Sequence, residues 1–240
     1  MNKLPTVIAS YNRQELLQQT IESAIKNADN QLDIIVVNDA STDKTEEYLD
    51  SLTNIRHVDL KERASVAIVK NTGIEMVKES EYICVSDNDV YYLPHWDSTL
   101  IKVLDTYPDI GAVGGKKHPH HRLAWDLPVT LKVLLRKGEP FINIRKLDDS
   151  TNVQLVEQQA GYSLMLRRED MDKLGGFNIA LPTSEDNDFC ERVMAMGKFI
   201  AAVDPPVLHH CGLCTYTGNK SADYPEMMNL QYTHSEIKFR

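Results

Sequence analysis

Residues 82–89 read Tyr-Ile-Cys-Val-Ser-Asp-Asn-Asp, an apolar run that ends in an acidic turn. The apolar part, Tyr82–Ser86, predicts a buried β-strand. Asp87 and Asp89 follow two residues apart, so both carboxylates can converge on one hard divalent cation such as Mg²⁺ or Mn²⁺. The alternative is a solvated surface turn, because Asp and Asn are common turn residues.

A similar arrangement occurs earlier in the chain, where Asp33–Asn38 contains the run Ile-Ile-Val-Val and Asp39 follows it. A run that is apolar on both faces is typical of a central parallel strand covered by helices on both sides. An acid at the carboxyl end of such a strand can accept hydrogen bonds from a nucleobase or a ribose. Capping of the next helix by Ser41 or Asp43 is a second interpretation, and it is compatible with the first.

Outward from these two strands, short apolar runs alternate with helical patterns through most of the chain. Apolar residues from Leu16 to Ala28 fall on one helical face, and Asn12 with Glu15 resembles a capping box before it. Strands separated by helices predict an α/β fold with a doubly wound, mostly parallel sheet. The predicted strands are Thr6–Ala9, Asp33–Asn38, Ile55–Leu60, Tyr82–Ser86, Ile110–Gly114, Gly161–Arg167 and Phe199–Val203. Two predicted helices end near Ala28 and near Leu52, and three more span Ala64–Glu79, Pro94–Tyr107 and Asp186–Met196.

Two segments carry no clear pattern. Residues 116–158 are mixed and contain three histidines at 118–121, followed by Trp125. Such a stretch fits an insertion over a binding site. These histidines have three interpretations: a second metal cluster, part of a loop near phosphates or an acceptor molecule, or part of a solvated loop. Trp125 either stacks on the face of a sugar or packs against the protein. Residues 212–240 are polar and rich in Tyr and Met, which fits a lid, a docking tail or partial disorder.

The composition limits the class of protein. The chain has 240 residues, of which 42% are hydrophobic and 25% charged, as in an ordinary globular protein. Its 26 basic and 35 acidic residues give a net charge of −9, which argues against a general nucleic-acid binder. No apolar run approaches the roughly 20 residues that span a bilayer, and the N-terminus lacks a signal-peptide pattern, so we expect a cytoplasmic protein. The four cysteines suggest no disulfide framework, and we expect Cys84 and Cys190 to be buried thiols.

A third candidate site lies around residues 175–186. Gly175 and Gly176 allow a tight turn or a close approach of backbone to a ligand. Glu185 and Asp186 stand at the start of a predicted helix, where the positive end of the helix dipole keeps a carboxylate ionised, as a general base requires. Simple capping of the helix by acids is the alternative interpretation.

The last candidate is the pair His209 and His210, followed by a Cys-x-x-Cys at 211–214. Histidine is a common metal ligand and can act as a base. A structural zinc site is disfavoured, because the adjacent histidines and the short cysteine loop are crowded and no second Cys-x-x-Cys occurs. One histidine as the third ligand of a cation in the acidic turn 87–89 is better supported, since two carboxylates alone would bind it weakly.

Taken in order, these signals resemble the inverting glycosyltransferases of family 2, which have the GT-A fold. The resemblance runs from about Thr6 to His210, most of the chain. Its motifs are Ser10-Tyr11-Asn12-Arg13, Val37-Asn38-Asp39-Ala40-Ser41-Thr42-Asp43, Lys70-Asn71-Thr72-Gly73, Asp87-Asn88-Asp89, Gly175-Gly176-Phe177, and Glu185-Asp186 with the late histidine.

The resemblance implies a role for individual residues. Asp39 would accept a hydrogen bond from the nucleobase, and Lys70 stands where the family usually has Arg. Asp186 would be the catalytic base, with Glu185 as its neighbour. The implied nucleotide-binding residues are Ala9, Tyr11, Arg13, Asp39, Lys70, Asn71, Asp87 and Asn88; the implied ligands of Mn²⁺ or Mg²⁺ are Asp89, Asp87 and His209, with His210 as the alternative; and the implied acceptor-binding residues are Trp125, Gly175 and Gly176.

The resemblance also implies a reaction and a domain plan. A sugar would move from a nucleoside diphosphate donor, with UDP favoured by family frequency, to the hydroxyl of a glycan, lipid-linked or protein acceptor, with inversion. The GT-A domain would cover 1–211, with a nucleotide-binding half at 1–115 and an acceptor-binding half at 116–211, before a tail or lid at 212–240. Peripheral membrane contact and a homo-oligomer stay open.

Two other classes of protein are kept as alternatives. One is a non-catalytic module that binds a nucleotide sugar, for which the full set of carboxylates and histidine would be unnecessary. The other is a sugar-phosphate nucleotidyltransferase, which needs a glycine-rich basic loop near the N-terminus. The segment Ala9–Arg13 has no glycine, so this class is disfavoured.

Overall fold

The computed structural model of the chain describes residues 3–115, 144–156, 159, 161–181 and 184–210. Eleven strands and six helices lie in these ranges. The strands are β1 (Leu4–Ser10), β2 (Leu32–Asn38), β3 (Arg56–Asp59), β4 (Tyr82–Asp87), β5 (Val90–Tyr92), β6 (Ile110–Gly114), β7 (Ile144–Lys146), β8 (Asn152–Val156), β9 (Ser163–Arg167), β10 (Phe199–Asp204) and β11 (Leu208–His210). The helices are α1 (Gln14–Asn27), α2 (Thr45–Asp50), α3 (Val66–Glu75), α4 (Trp96–Thr106), α5 (Arg168–Leu174) and α6 (Glu185–Ala195).

A central sheet has the strand order β3-β2-β1-β4-β9-β6-β10-β8-β7. Strands β3, β2, β1 and β4 are mutually parallel, and so are β6 and β10. Strand β9 is antiparallel to both β4 and β6, and β8 is antiparallel to both β10 and β7. All the described strands of this sheet except β8 and β9 therefore run in one direction, which confirms the predicted mostly parallel α/β sheet.

The central strands are apolar on both faces because helices cover both faces. In β2, Ile35 joins the larger core, whereas Ile34 and Val36 join a smaller core that includes Leu17 of α1 and Leu49 of α2. Successive residues of a strand point to opposite faces, so the unbroken run has no solvated side. Each such aliphatic side chain, fully buried, contributes roughly 1.5–3 kcal/mol to the stability of the fold.

Helix α3 lies unusually close to the sheet at Gly73. A Cβ atom added there would lie 2.3 Å from Val7 Cγ1 and 3.1 Å from Val37 Cγ2, so no larger side chain fits without displacing β1. The close approach presses the middle of α3 against the protein interior. Lys70, one turn earlier, is consequently 1% exposed despite its charge.

Several local predictions need correction. The capping box at Asn12 and Glu15 is wrong: α1 begins after Arg13, which makes no side-chain cap hydrogen bond, and Asn12 Oδ1 instead accepts from the Thr42 N–H at 2.8 Å. The Asn12 side chain, which the capping box would use, instead makes a tertiary contact between two turns. Helix α3 ends at Glu75 and is shorter than predicted, and α5 follows β9 directly without having been predicted.

The stretch 116–158, predicted without regular structure, is only partly described. Strands β7 and β8 form an antiparallel pair within 144–156 and extend the sheet beyond β10. Residues 116–143 and 211–240 lie outside the described residues, and with them Trp125, the histidines at 118–121 and the Cys-x-x-Cys at 211–214. Within the described ranges no helix is long and apolar enough to cross a bilayer.

The carboxyl ends of three neighbouring strands meet at one edge of the sheet. In the parallel registers, Ser10 pairs with Asn38 and Ala9 with Asp87. A separate two-stranded ribbon of β5 and β11 sets His210 opposite Val90. The turn between β4 and β5 therefore lies beside the turns after β1 and β2, with the end of β11 next to it.

Candidate active site

Asn88 joins the acidic turn after β4 to the turn after β1. Its Nδ2 donates to Ser10 Oγ at 3.0 Å and to the carbonyl oxygen of Asn12 at 2.8 Å. Asn88 and Ser10 are both buried. Two of the sequence motifs thus form one polar cluster, and the Asn88 amide group donates to the protein itself.

Asp89 lies between two basic side chains. Its Oδ2 is 2.6 Å from Arg13 Nη1, and its Oδ1 is 3.2 Å from His210 Nε2. Burial acts to raise the pKa of the Asp89 carboxyl, but the hydrogen bond and charge of His210, together with Arg13, outweigh it and hold the pKa below its ordinary value. The carboxylate is therefore an ionised, buried group that already has Arg13 and His210 as partners.

The histidine next to the acidic turn is His210, not His209. His209 sits opposite Tyr91 in the β5–β11 ribbon and is buried, and because strand side chains alternate it points to the other face. The His210 ring also stacks on Tyr162, with ring centroids 4.8 Å apart and planes 10° from parallel. Of the two histidines weighed from the sequence, the structure thus brings the alternative one to Asp89.

Lys70 brings carboxylates from two parts of the chain together. Its Nζ lies 3.2 Å from Asp87 Oδ1 and 3.3 Å from Glu185 Oε1, and it donates to the Gly161 carbonyl oxygen at 2.9 Å. Burial acts to lower the pKa of the Lys70 amine, but the charges of Asp87, Glu185 and Asp186 outweigh it and raise the pKa above its ordinary value. The ammonium is the positive centre of an acidic cluster.

Asp186 is held at the start of α6 by backbone donors. Its Oδ1 accepts from the N–H of Asn187 at 2.9 Å, and its Oδ2 accepts from the N–H of Gly161 at 3.1 Å. A carboxylate in the first helical turn also lies at the positive end of the helix dipole. Since each carboxylate oxygen has a further lone pair, the group keeps the capacity to accept a proton.

Asn71 locks the Gly-Gly-Phe turn to α3. Its Nδ2 donates to the Phe177 carbonyl oxygen at 2.8 Å, and its Oδ1 accepts from the Phe177 N–H at 2.8 Å. A Cβ on Gly176 would lie 2.5 Å from Asn71 Oδ1, whereas a Cβ on Gly175 would meet nothing within 4 Å. The Asn71 amide, expected at the nucleotide, is directed to the backbone of another turn.

Asp39 has its own polar partners, in the segment before α3. Its Oδ1 accepts from the Ala64 N–H at 2.7 Å, and its Oδ2 lies 2.8 Å from Arg63 Nε. The Arg63 guanidinium carbon is 3.2 Å from the centroid of the Tyr11 ring, so it covers one face of that ring. Arg63 contacts Tyr11 and Asp39, two of the three residues that the family resemblance places in the base pocket with Ala9, and it belongs to none of the motifs quoted for that resemblance.

The profile of the family described as "Glycosyl transferase family 2" matches residues 6–173, more than half of the chain. The chain belongs to this family. The predicted family resemblance is therefore confirmed.

Curated relatives of this family 2 chain agree with the assignment. An uncharacterized glycosyltransferase of Rickettsia felis is 26% identical over 193 residues, which cover 78% of this chain and 31% of the relative. The chain spans between 15% and 31% of the length of three of the curated relatives that it matches.

Two solved structures share the fold. A mannosyltransferase from Pyrobaculum calidifontis in complex with GDP-Man and Mn²⁺ is 18% identical with a TM-score of 0.59, over 89% of this chain and 58% of that one. GalNAc-T7 with UDP, GalNAc and Mn²⁺ is 16% identical with a TM-score of 0.64, over 87% of this chain and 43% of that one. These likenesses confirm the predicted GT-A fold.

Whether this family 2 chain can bind a divalent cation is judged from the side chains that could act as ligands. The carboxylates of Asp87 and Asp89 and the imidazole of His210 are suitable ligands for Mn²⁺. Among residues 3–115, 144–156, 159, 161–181 and 184–210, no group of three or more His, Cys, Asp or Glu side chains is arranged to hold a metal ion. Arg13 lies against Asp89 and Lys70 against Asp87, so the donors are present but are paired with basic side chains.

Gly161 and Arg63 are two neighbours of the site that no sequence pattern indicated. Gly161 is an isolated glycine before a strand, and only its contact with both Lys70 and Asp186 distinguishes it. Arg63 lies in a charged segment that resembles any solvated loop. Neither residue belongs to a recognisable motif in the sequence, because each acts through a contact between separate elements.

Proposed function

We propose that this chain transfers a sugar from a nucleoside diphosphate donor, with a UDP-sugar as the first candidate, to an acceptor hydroxyl with inversion. The observation that supports this most is the contact of one buried ammonium, Lys70, with Asp87 and Glu185. It joins the acidic turn after β4 to the first turn of α6. Asp87, a candidate for binding the sugar donor, and Asp186, the candidate base, thereby belong to one cluster.

In the proposed reaction Asp186 acts as the general base. Its carboxylate takes the proton of the acceptor hydroxyl while the acceptor oxygen forms a bond to the anomeric carbon. The bond from that carbon to the phosphate oxygen breaks, and the diphosphate leaves with the electron pair. A single displacement of this kind inverts the anomeric carbon and needs no covalent carboxylate nucleophile.

The proposed base pocket consists of Ala9, Tyr11 and Asp39 near the ends of β1 and β2. The Asp39 carboxylate is buried and accepts one backbone N–H, and its other oxygen faces Arg63. A base stacked on the covered face of Tyr11 would have to move Arg63 from it. Both uracil and guanine present an N–H that Asp39 could accept, so the pocket chemistry fits either, and we choose UDP on the family resemblance.

A divalent cation, Mn²⁺ or Mg²⁺, is part of the proposal. Asp89 and His210 would hold it together with Asp87, with Asp89 exchanging Arg13 for the cation and Asp87 using the oxygen that does not contact Lys70. When bound, it would offset the negative charge that grows on the leaving diphosphate.

The acceptor side of the proposal rests on the sequence. We propose residues 116–211 as the acceptor-binding half, with Trp125, Gly175 and Gly176 near a glycan, lipid-linked or protein hydroxyl. Residues 1–115 would be the nucleotide-binding half. The compartment proposed from the sequence is the cytoplasm.

The first test is thermal stabilisation of the chain by UDP, GDP, dTDP and CDP, each with Mn²⁺, Mg²⁺ or EDTA. A nucleotide at about 100 times its dissociation constant stabilises the folded state by about 2.7 kcal/mol. For a chain of this size that corresponds to an increase of roughly 5–10 °C in Tm. No shift with any diphosphate would contradict the proposed donor site.

The second test compares Asp186→Asn with Asp188→Asn. Both remove one carboxylate from α6, but Asp188 pairs with Arg192 and lies outside the proposed machinery. With the donor identified by the first test, release of diphosphate in the presence of a panel of acceptors should fall at least about 100-fold in Asp186→Asn and stay near wild type in Asp188→Asn. Equal turnover in the two variants would remove Asp186 from the base role. Nucleotide binding without turnover by the wild-type chain would favour a binding module.

A further inference from the structure

Lys70 is completely enclosed by acceptors. Its side chain is 1% exposed, and three oxygen acceptors lie within 3.3 Å of its Nζ: Asp87 Oδ1, Glu185 Oε1 and the Gly161 carbonyl. An ammonium has three donors and no acceptor, so this arrangement uses its full capacity. A nucleotide phosphate would have to displace one of these partners to reach it. Lys70 is therefore placed to act on the protein and not on the donor.

The three partners belong to three different elements. Asp87 ends β4, Gly161 lies just before β9, and Glu185 begins α6, whereas Lys70 itself is in α3. Gly161 and Glu185 lie 91 and 115 residues after Lys70, and the ammonium is a point at which they meet α3 and the end of β4. The position of the first turn of α6 relative to the acidic turn therefore depends on Lys70.

The Gly161 peptide extends this contact to the proposed base. Its carbonyl oxygen accepts from Lys70 Nζ, and its N–H donates to Asp186 Oδ2. A Cβ on Gly161 would lie 2.8 Å from Lys70 Nζ and 3.1 Å from Asp186 Cβ. The Lys70 ammonium, the Gly161 peptide and the Asp186 side chain are thus packed so closely that a methyl group on Gly161 would not fit unless one of them moved.

The charge balance leads to the same conclusion. Asp87, Glu185 and Asp186 all act on the Lys70 amine electrostatically, whereas the neighbouring acid Asp89 has Arg13 and His210 as its own partners. Asp87 and Glu185 are partly buried, with side chains 34% and 14% exposed, and each loses stabilisation when its positive partner is removed. Without the ammonium, Glu185 would move away from Asp87 or take up solvent, and the start of α6 would move with it.

We propose that Lys70 is a positioning residue for sugar transfer: through the Gly161 peptide and the Glu185 carboxylate it fixes Asp186 relative to the donor site. This inference rests on the proposed function, in which Asp186 is the base. It replaces the direct nucleotide contact that the family resemblance implies for this position. A displacement of about 1 Å at a reacting group can lower turnover about 100-fold, which sets the expected size of the effect.

The experiment measures kcat, donor KM and the Kd of the nucleoside diphosphate for the wild type, K70M, K70R, G161A and D188N. K70M keeps a similar length and removes the charge, and its kcat should fall about 100-fold while the nucleotide Kd stays within threefold of wild type. K70R restores a positive charge and should recover part of kcat. D188N is the matched control and should keep wild-type values.

G161A tests the same path if K70M fails to fold. Gly161 is not among the described glycines with positive φ, so alanine is sterically allowed by the backbone and only the contact with Lys70 and Asp186 is disturbed. We expect at least a tenfold lower kcat with an unchanged nucleotide Kd. An unchanged kcat in G161A would overturn the inference.

The outcomes separate this inference from the proposed function. Absence of turnover by the wild-type chain with every donor contradicts the function itself, and full turnover by D186N removes Asp186 from the base role. Wild-type turnover that D186N abolishes, combined with normal kcat in K70M, overturns only the role of Lys70. A nucleotide Kd that weakens in K70M as much as kcat/KM falls would make Lys70 a donor contact and would also overturn it.

Discussion

The two adjacent glycines after α5 allow a matched test of how the Gly-Gly-Phe turn is fixed. Both have left-handed backbone, with φ of +69° at Gly175 and +80° at Gly176. Alanine at either position has the conformational cost of that region, about 1 kcal/mol. Only at Gly176 would the new Cβ also collide, 2.5 Å from Asn71 Oδ1.

The collision sets the difference between the two variants. The new methyl group must displace the Asn71 side chain, which breaks its two hydrogen bonds with Phe177. Each such bond contributes about 1 kcal/mol. We therefore expect Gly175→Ala to lower the free energy of unfolding by about 1 kcal/mol and Gly176→Ala by about 3 kcal/mol. For a chain of this size, the difference corresponds to roughly 4–8 °C in Tm.

The assay is urea-induced unfolding followed by circular dichroism, with Asn71→Ala and the double variant Asn71→Ala/Gly176→Ala completing a thermodynamic cycle. Once Asn71 is truncated, Gly176→Ala should cost only the backbone term of about 1 kcal/mol, so the cycle should give a coupling energy of about 2 kcal/mol. Equal destabilisation by the two glycine substitutions, or strict additivity in the cycle, would refute the reasoning.

Three further predictions concern other parts of the chain. Asp97 is fully buried and accepts from the backbone N–H groups of Asp29 and Asn30, just after α1, so Asp97→Ala should lower the free energy of unfolding by about 2–4 kcal/mol and Asp97→Asn by less, as measured in urea. Burial raises the pKa of both Cys84 and Cys190 to about 12, so at pH 8 neither should react with iodoacetamide until the protein unfolds, as peptide mass mapping would show. Arg63→Ala should tighten UDP binding about two- to fivefold by removing a cation–π contact from the Tyr11 ring; weaker binding by calorimetry would instead make Arg63 a contact of the base.

The strands that carry the site could be predicted because their signals are local. Apolar runs such as Asp33–Asn38 and Tyr82–Ser86 end in acids within the same short segment, and both strands are present almost as predicted. The direction in which a side chain points is not local. His209 and His210 are equivalent in sequence, and only the pairing of His210 with Val90 decides which of them faces Asp89.

The partners of the site residues were the least predictable part. Lys70 is a polar residue on a helix and would normally be exposed; it is buried because Gly73 lets α3 approach β1 and because three acceptors surround the ammonium. Asn71 is directed to Phe177 for a similar reason. Such contacts arise from how elements pack, and a pattern along one segment contains no information about them.

The insertion of β9 between β4 and β6 has a consequence for how such a chain can be recombined. Within the described sheet, β6 pairs with β9 and β10, and both of these strands come from after residue 160. A fragment that ends at residue 115 would leave β6 without a neighbour and expose the edge of β4. New specificity is therefore expected from changes in the loops at the carboxyl edge of the sheet. Family members could exchange the part of the chain after residue 115 only together with strands β9 and β10, which lie in the central sheet.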